Sequence, residues 1–253
     1  MYNCLVLGAG RSGTSVAGLL LARAGYHVYS STYAPDEANP LGYFEDVEVN
    51  STNDAILEPF YRSVWGRLSR MLKGKPQLPL PQAWLLDLHP IHIATLSLQP
   101  IHAARFGQLF ARTPFAYKDP RFSFTLGALS PLIPKGTRYL CVFRDPLQVV
   151  ESSQKHACRC GLDVDDKYCF AVWEAHYRCL LEHHRRFGGQ WLFVSHEQLI
   201  GGAAIPRMED FLRTRLDRTL IKPELSRAKG CGTLPDGIAR LFEQLKELSC
   251  HEQ

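Results

Sequence analysis

Near its start the sequence has an apolar run, a glycine-rich turn and a helical pattern in succession, LVLGAGRSGTSVAGLLLARAG over residues 5–25. Such a unit is typical of nucleotide-binding α/β folds, in which backbone N–H groups of the turn and the positive end of the following helix bind a phosphate. Gly25 stands directly after the helical run, where helices often end in a left-handed residue. This segment predicts an α/β fold with a P-loop-like parallel sheet and helices on both faces.

The rest of the chain repeats this alternation of short apolar runs and helical periodicity. We predict strands at residues 3–8, 27–31, 83–88, 115–118, 138–143 and 190–195. We predict helices at residues 14–24, 53–72, 101–112, 146–156, 166–187, 206–213 and 236–248. A chain of 253 residues can bury a full core, and we expect one domain over residues 1–253.

Composition excludes several classes of partner. The net charge is +4 without a dense Lys/Arg stripe, which suits anionic small ligands and argues against nucleic acid. The apolar stretch at residues 16–24 is too short to span a bilayer, so we expect no stable membrane anchor. The eight cysteines show no paired zinc-finger spacing, and we expect a reduced cytoplasmic protein without a metal site.

The glycine turn fits two phosphate-binding patterns. As Gly8-x-Gly10-x-x-Gly13 it matches a dinucleotide-binding fingerprint, which requires an acidic residue at the end of the second strand. That strand ends in YSST at residues 29–32, so an NAD(P)-binding Rossmann oxidoreductase stays only as an alternative. As a phosphate cradle, the turn has an arginine where a nucleotide kinase has lysine, and no acid-tipped strand for magnesium follows. The candidate phosphate ligands are Gly10, Arg11, Ser12, Gly13, Thr14 and Ser15.

A second phosphate candidate is YLCVFRDPLQVVESS, residues 139–153. A predicted strand delivers Arg144 at its carboxyl end, where ligands of parallel sheets bind, and Pro146 opens the next helix. Ser152 lies on that helix, so that Arg144 and Ser152 could bracket a separate phosphate. Taken alone, this motif is equally consistent with a surface Arg–Asp pair and a solvent-facing serine.

Two further loops carry candidate catalytic groups. In NPLGYFED, residues 39–46, Glu45 follows an aromatic pair whose packing would raise its proton affinity, as a general base requires. In FAYKDPR, residues 115–121, Lys118 ends a predicted strand and could neutralise a leaving group. The alternatives are that Glu45 is an ordinary surface glutamate and that Lys118 lies in a turn. His89 is an alternative base.

These motifs, in this order, resemble those of cytosolic-type and tyrosylprotein sulfotransferases, especially their short bacterial relatives. The resembling segments are residues 5–15, 39–58, 115–121, 138–155 and 190–200. The resemblance implies 3′-phosphoadenosine-5′-phosphosulfate (PAPS) as donor, adenosine 3′,5′-bisphosphate as product, and no required metal. It implies that residues 10–15 hold the 5′-phosphosulfate and that Arg144 and Ser152 hold the 3′-phosphate.

The same resemblance assigns the chemistry. It implies Glu45 as general base, with Lys118 and Arg11 stabilising the departing phosphate during in-line transfer to a hydroxyl of a glycan, lipid or specialised metabolite. His196 replaces a tyrosine usual in the family. Weak candidates for further cofactor contacts are Ser226, Arg227 and Lys229. A catalytically inactive nucleotide-binding module of the same fold is the non-enzyme alternative.

Overall fold

The computed structural model describes residues 1–36, 41–78, 82–94, 96–225 and 229–250. In these residues the sheet has four strands, all parallel, in the order β2-β1-β3-β4. The strands are β1 (Cys4–Leu7), β2 (Ala116–Lys118), β3 (Arg138–Phe143) and β4 (Gln190–Ser195). Because all four run the same way, their carboxyl ends meet at one edge of the sheet.

Helices cover both faces, as the sequence predicts. Alternate residues of β1 separate into two cores, with Leu5 and Leu7 in one and Cys4 and Val6 in the other. The described α-helices are α1 (Thr14–Arg23), α2 (Val47–Leu57), α3 (Val64–Leu72), α4 (Pro90–Ile93), α5 (Pro100–Phe110), α6 (Phe122–Leu129), α7 (Pro146–Arg159), α8 (Asp166–Phe187), α9 (His196–Ile200), α10 (Ile205–Leu212) and α11 (Asp236–Cys250). Helices α1 and α10 pack against the Cys4 face, and α5, α8 and α11 pack against the other.

Two predicted strands are wrong. Residues 27–31 form only one isolated bridge, between His27 and Phe115. Residues 83–88 begin with a 3-10 helix, Ala83–Leu85, although Ala83 and Leu85 are fully buried. A short apolar run is equally consistent with a buried strand and a buried turn, because periodicity does not separate them.

The single helix predicted over residues 53–72 is also wrong. Helix α2 begins earlier, at Val47, because the Asp46 side chain caps it by accepting from the N–H groups of Glu48 and Val49. A 3-10 helix, Glu58–Phe60, then interrupts the chain. Helix α3 starts anew after Ser63, whose Oγ accepts from Gly66 N at 3.0 Å. The predicted helix therefore divides where a proline, Pro59, and a capping serine stand close together.

Candidate active site

The loop between β1 and α1 has the backbone of an anion-binding turn. Gly8, Arg11 and Gly13 all have positive φ, at 138°, 67° and 92°. An arginine with left-handed backbone costs on the order of 1–3 kcal/mol and persists only where its surroundings hold it. Helix α1 follows Gly13 directly, without an acidic residue in its first turn. Its N-terminus therefore presents a positive partial charge to the cleft.

Tyr177, on α8, supports this loop from below. Its phenol oxygen lies 2.8 Å from Ser12 Oγ and 2.9 Å from the carbonyl oxygen of Val142, and accepts from Ala9 N at 3.3 Å. Ser12 is fully buried, so its side chain holds the loop in place rather than facing the cleft. The sequence analysis missed Tyr177, because nothing in the helical pattern of α8 separates this tyrosine from an ordinary core residue.

The two predicted phosphate motifs meet. Arg11 Nε donates to Ser152 Oγ at 3.1 Å, which joins the first loop to α7. Arg144 leaves the end of β3, donates from Nε to Gln148 Oε1 at 2.8 Å, and lines the same cavity as Arg11. Burial lowers the pKa of the Arg144 guanidinium, and the charge of Arg11 adds to that effect. Two cations close enough to repel each other favour an anion between them.

The cavity has a volume of about 570 Å³ and lies over the carboxyl edge of the sheet. Cations outnumber acids among its charged lining residues. These residues are Arg11, Lys118, Arg121, Arg144, Lys222, Asp36 and Glu45. Of the predicted phosphate ligands, Gly10, Arg11, Gly13, Thr14, Ser15 and Arg144 line it, and Ser152 reaches it through Arg11. A site of this size and charge suits a polyanionic nucleotide.

Glu45 and Lys118 form a buried ion pair that lines the same cavity. Lys118 Nζ lies 2.5 Å from Glu45 Oε1 and donates to Ser15 Oγ at 3.2 Å. Asn50 Nδ2 donates to Glu45 Oε2 at 2.5 Å. Both carboxylate oxygens of Glu45 are therefore engaged, and Ser15 connects the pair to the start of α1.

The expected raised proton affinity of Glu45 is wrong for this resting arrangement. Burial alone would raise the pKa of the carboxyl group, but the charges of Lys118 and Arg121 and the hydrogen bonds from Lys118 and Asn50 lower it below its ordinary value. The aromatic neighbours face elsewhere: Phe44 packs against Gly18 of α1, and Tyr43 donates its hydroxyl to Asp36 Oδ2 at 2.7 Å. Glu45 is thus an ionised carboxylate at neutral pH.

A second buried network holds these groups in place. Arg121 pairs with Asp54 at 3.1 Å and with Asp119 at 3.0 Å, and Asn53 Nδ2 donates to Asp119 Oδ2 at 2.8 Å. The network joins α2 to the segment after β2, and so fixes Asn50 relative to Lys118. The sequence analysis missed it, although Asn50, Asn53 and Asp54 are polar residues at helical spacing and share one helix face.

Two rings close over the glycine loop. A methyl group at Gly13 would meet Cδ2 of His196 at 2.5 Å, and one at Gly10 would meet the Trp84 ring at 2.6 Å. Both positions therefore need glycine. Burial, followed by the nearby charge of Arg144, lowers the pKa of His196 to about 4, so that this ring is neutral at physiological pH.

Aromatic side chains continue from Trp84 along the cavity. The Trp84 and His156 rings lie 5.5 Å apart, His156 and Tyr43 6.4 Å apart, and Tyr43 and Tyr33 6.2 Å apart. By contrast, the Tyr61 side chain is 1% exposed and belongs to the core.

The remaining candidates lie elsewhere. His89 caps α4 by accepting from Ile91 N at 3.3 Å and lines a different groove, away from Glu45. Lys229 donates its backbone N–H to Glu151 at 3.1 Å, and Ser226 and Arg227 lie outside the described residues. Within the described part of the chain, no group of three or more His, Cys, Asp or Glu side chains is placed to hold a metal ion.

The chain resembles known proteins in sequence and in fold. A family profile described as the sulfotransferase family matches residues 4–212. No curated protein matches the chain significantly. Three solved structures share its fold at low sequence identity.

A sulfotransferase from Alicyclobacillus acidocaldarius has a TM-score of 0.54 and 12% identity, over 100% of this chain and 97% of its own. The sulfotransferase domain of the Synechococcus PCC 7002 olefin synthase has a TM-score of 0.51 and 18% identity, over 100% of this chain and 96% of its own. The sulfotransferase domain from the curacin biosynthetic pathway has a TM-score of 0.52 and 13% identity, over 97% of each chain. At such identities the structural likeness establishes the fold alone.

Proposed function

This chain belongs to the sulfotransferase family, and from that membership we propose that it transfers a sulfuryl group from PAPS to a hydroxyl of a glycan, lipid or specialised metabolite. One observation supports this function above the others. Arg11, Lys118, Arg144 and Glu45 come from four separate motifs and line a single cavity.

The chain's own groups fit such a donor. Gly10, Arg11 and residues 13–15 at the start of α1 would hold the 5′-phosphosulfate, and Arg144 with Ser152 would hold the 3′-phosphate. The hydrogen bond from Arg11 to Ser152 ties the two positions together. When bound, the donor supplies an activated sulfuryl group whose transfer leaves adenosine 3′,5′-bisphosphate.

In the proposed reaction the protein mainly orients groups and neutralises charge. Arg11 and Lys118 would stabilise negative charge that develops on the bridging oxygen. Once Lys118 turns towards that charge, its hold on Glu45 weakens, and burial then raises the pKa of the carboxyl group. Glu45 would accept the hydroxyl proton at its freed Oε1, while Asn50 keeps Oε2 in position. A base placed in this way contributes roughly 10²–10⁴-fold.

Acceptor binding is proposed along the aromatic wall. Trp84, Tyr33 and Tyr43 offer flat faces beside the polar side chains of Asp36 and Gln82, all of which line the cavity. Flat rings next to hydrogen-bonding groups suit a hydroxyl-bearing acceptor with an apolar face, such as a sugar ring or a polycyclic metabolite.

The test is calorimetric titration with adenosine 3′,5′-bisphosphate, followed by transfer of labelled sulfate from PAPS to a panel of hydroxyl acceptors. We expect saturable binding of the bisphosphate and no comparable binding of NADP. Failure to bind the bisphosphate would overturn the proposal. Binding without transfer to any acceptor, and without release of the bisphosphate, would support the inactive-module alternative.

Tyr177 provides a separate prediction about positioning. Replacing Tyr177 with phenylalanine leaves buried Ser12 without its partner, at a cost of about 1–3 kcal/mol, and loosens the donor loop. We expect a lower Tm and about tenfold weaker binding of the bisphosphate. Tyr117→Phe is the matched control, because the buried Tyr117 hydroxyl bonds to Leu109 O at 2.9 Å, on α5. Equal donor affinity in both variants would contradict a role for Tyr177 in the loop.

Two broader expectations belong to the same proposal. Ile238, Leu241 and Leu245 of α11 lie in the same core as β1, which supports residues 1–253 acting as one domain. In the described residues no helix combines the length and apolar character needed to cross a membrane. A cytoplasmic location remains part of the proposal.

A further inference from the structure

Helix α3 turns its apolar face to the solvent. Consecutive residues of an α-helix are about 100° apart, so its five large apolar side chains share one side. They are Val64 (79% exposed), Trp65 (78%), Leu68 (37%), Met71 (63%) and Leu72 (76%). A surface helix normally buries such a face. Isolated exposed apolar residues are common, but five on one short helix form a contiguous patch, which marks an interaction surface.

The inner side of α3 explains this orientation. Gly66 faces the protein, and a methyl group there would lie 2.9 Å from the carbonyl carbon of Phe60. Arg70, 4% exposed, donates to Pro76 O at 2.8 Å and to the Tyr168 hydroxyl at 2.6 Å, and lies 3.6 Å from Asp87. A close backbone approach and a buried arginine therefore seat this helix. The apolar side chains are left to contact something else.

The charge around the patch is positive. Of the five Lys or Arg residues at 59–86, Arg62 pairs with Glu58 and both Arg70 and Lys75 pair with Asp87, so the positive charge beside the patch comes from Arg67 and Lys73. Arg67 is exposed one helical turn before Met71, next to the apolar face, and Lys73 is exposed at the end of the helix. A tryptophan and aliphatic side chains bordered by cations are the pattern of helices that lie in the interface of an anionic bilayer.

We propose that α3 is an interfacial helix that docks this protein reversibly on anionic membrane surfaces. Trp65, Leu68 and Leu72 would enter the headgroup boundary, while Arg67 and Lys73 contact lipid phosphates. The helix has nine residues and is about 14 Å long. Its face is smaller than the roughly 800 Å² that each partner of a standard protein dimer buries. A second copy therefore explains the patch less well than a lipid surface. Such docking does not depend on the proposed sulfuryl transfer.

Co-sedimentation of the full chain with vesicles tests this proposal. We expect binding to vesicles of phosphatidylcholine with phosphatidylglycerol, and much weaker binding to phosphatidylcholine alone. The double variant Trp65→Glu/Leu72→Glu should bind about a hundredfold less tightly. Arg67→Gln/Lys73→Gln should bind about tenfold less tightly. Both variants alter exposed side chains, and a Tm equal to that of the wild type confirms that they fold.

Matched controls carry similar changes elsewhere. Ile101→Glu places a charge at another exposed apolar residue (55%), and Arg213→Gln/Arg215→Gln removes two exposed cations from another part of the chain. Both should bind vesicles like the wild type. No binding to anionic vesicles, equal binding to both lipids, or undiminished binding of Trp65→Glu/Leu72→Glu would overturn the proposal. The proposal would also be overturned if light scattering showed a dimer that Trp65→Glu/Leu72→Glu abolishes, while the wild type bound no vesicles.

Discussion

Replacing Lys118 with alanine is expected to lower the turnover number for sulfuryl transfer about 10²–10³-fold. The side chain is 3% exposed and stands between Glu45 and Ser15 at the start of α1, where under the proposed function it would meet charge on the departing phosphate. The loss of one preorganised charge donor has about this effect in other enzymes. Single-turnover transfer of labelled sulfate measures it, and Lys135→Ala, at an exposed lysine, is the control.

Folding must be separated from chemistry in this experiment. Lys118→Ala leaves the buried Glu45 carboxylate without its ion pair, which costs about 3–5 kcal/mol. The double variant Lys118→Ala/Glu45→Gln removes both charges and should recover most of the lost stability while staying inactive. Wild-type turnover in the single variant Lys118→Ala, measured well below its Tm, would show that Lys118 serves the fold only.

Glu45→Gln is expected to lower the turnover number by roughly 10²–10⁴-fold while leaving the affinity for adenosine 3′,5′-bisphosphate within about twofold of the wild type. Glutamine keeps the shape of the side chain but does not take up the acceptor proton. Asp46→Asn is a neighbouring control, because Asp46 caps α2 and is turned away to Ser30 N at 2.7 Å. Wild-type turnover in Glu45→Gln would exclude this residue as the base.

The pH dependence gives a second measure of the same group. In the resting protein the pKa of Glu45 is lowered, so kcat/KM should fall only when the pH drops below the ordinary range of a glutamate. The proposed mechanism turns Lys118 towards the donor in the complex, so the acid limb of kcat should lie at higher pH than that of kcat/KM. Coincident acid limbs, or their persistence in Glu45→Gln, would contradict the release of Glu45 from Lys118.

Local sequence patterns correctly predicted those strands and helices whose ends are marked by nearby residues. The strand Arg138–Phe143, the strand Gln190–Ser195 and the helix Asp166–Phe187 have the predicted bounds, because clear apolar periodicity and turn residues delimit them. The strand predicted at residues 27–31 is absent because strand formation depends on pairing with a neighbouring strand, and only His27 pairs, with Phe115. The predicted start of α2 at residue 53 is wrong because the Asp46 side chain caps a helix that begins at Val47.

Sequence motifs predicted which residues line the site better than they predicted the interactions between those residues. Lys118 and Arg144 stand at the ends of strands and Arg11 stands beside Gly10, so motif order predicts that they share a cleft, and together with Glu45 they do line one cavity. Tyr177 contacts Ser12 from 165 residues away in the sequence, whereas Asn50 lies five residues from Glu45 and Arg121 lies three residues from Lys118. The lowered pKa of Glu45 depends on Lys118, Arg121 and Asn50, which outweigh its burial, and burial beside aromatic rings alone suggested the opposite sign.

In the resting protein Lys118 and Asn50 engage both oxygens of Glu45. Under the proposed function, a water molecule that enters the cleft at that stage would meet a carboxylate whose proton affinity these partners lower, and so would be poorly activated as a nucleophile. Hydrolysis of the phosphosulfate anhydride of the donor would thereby be suppressed. The enzyme would release its proton acceptor only when both reactants compete for the ion pair, which spares the cell an energetically costly donor.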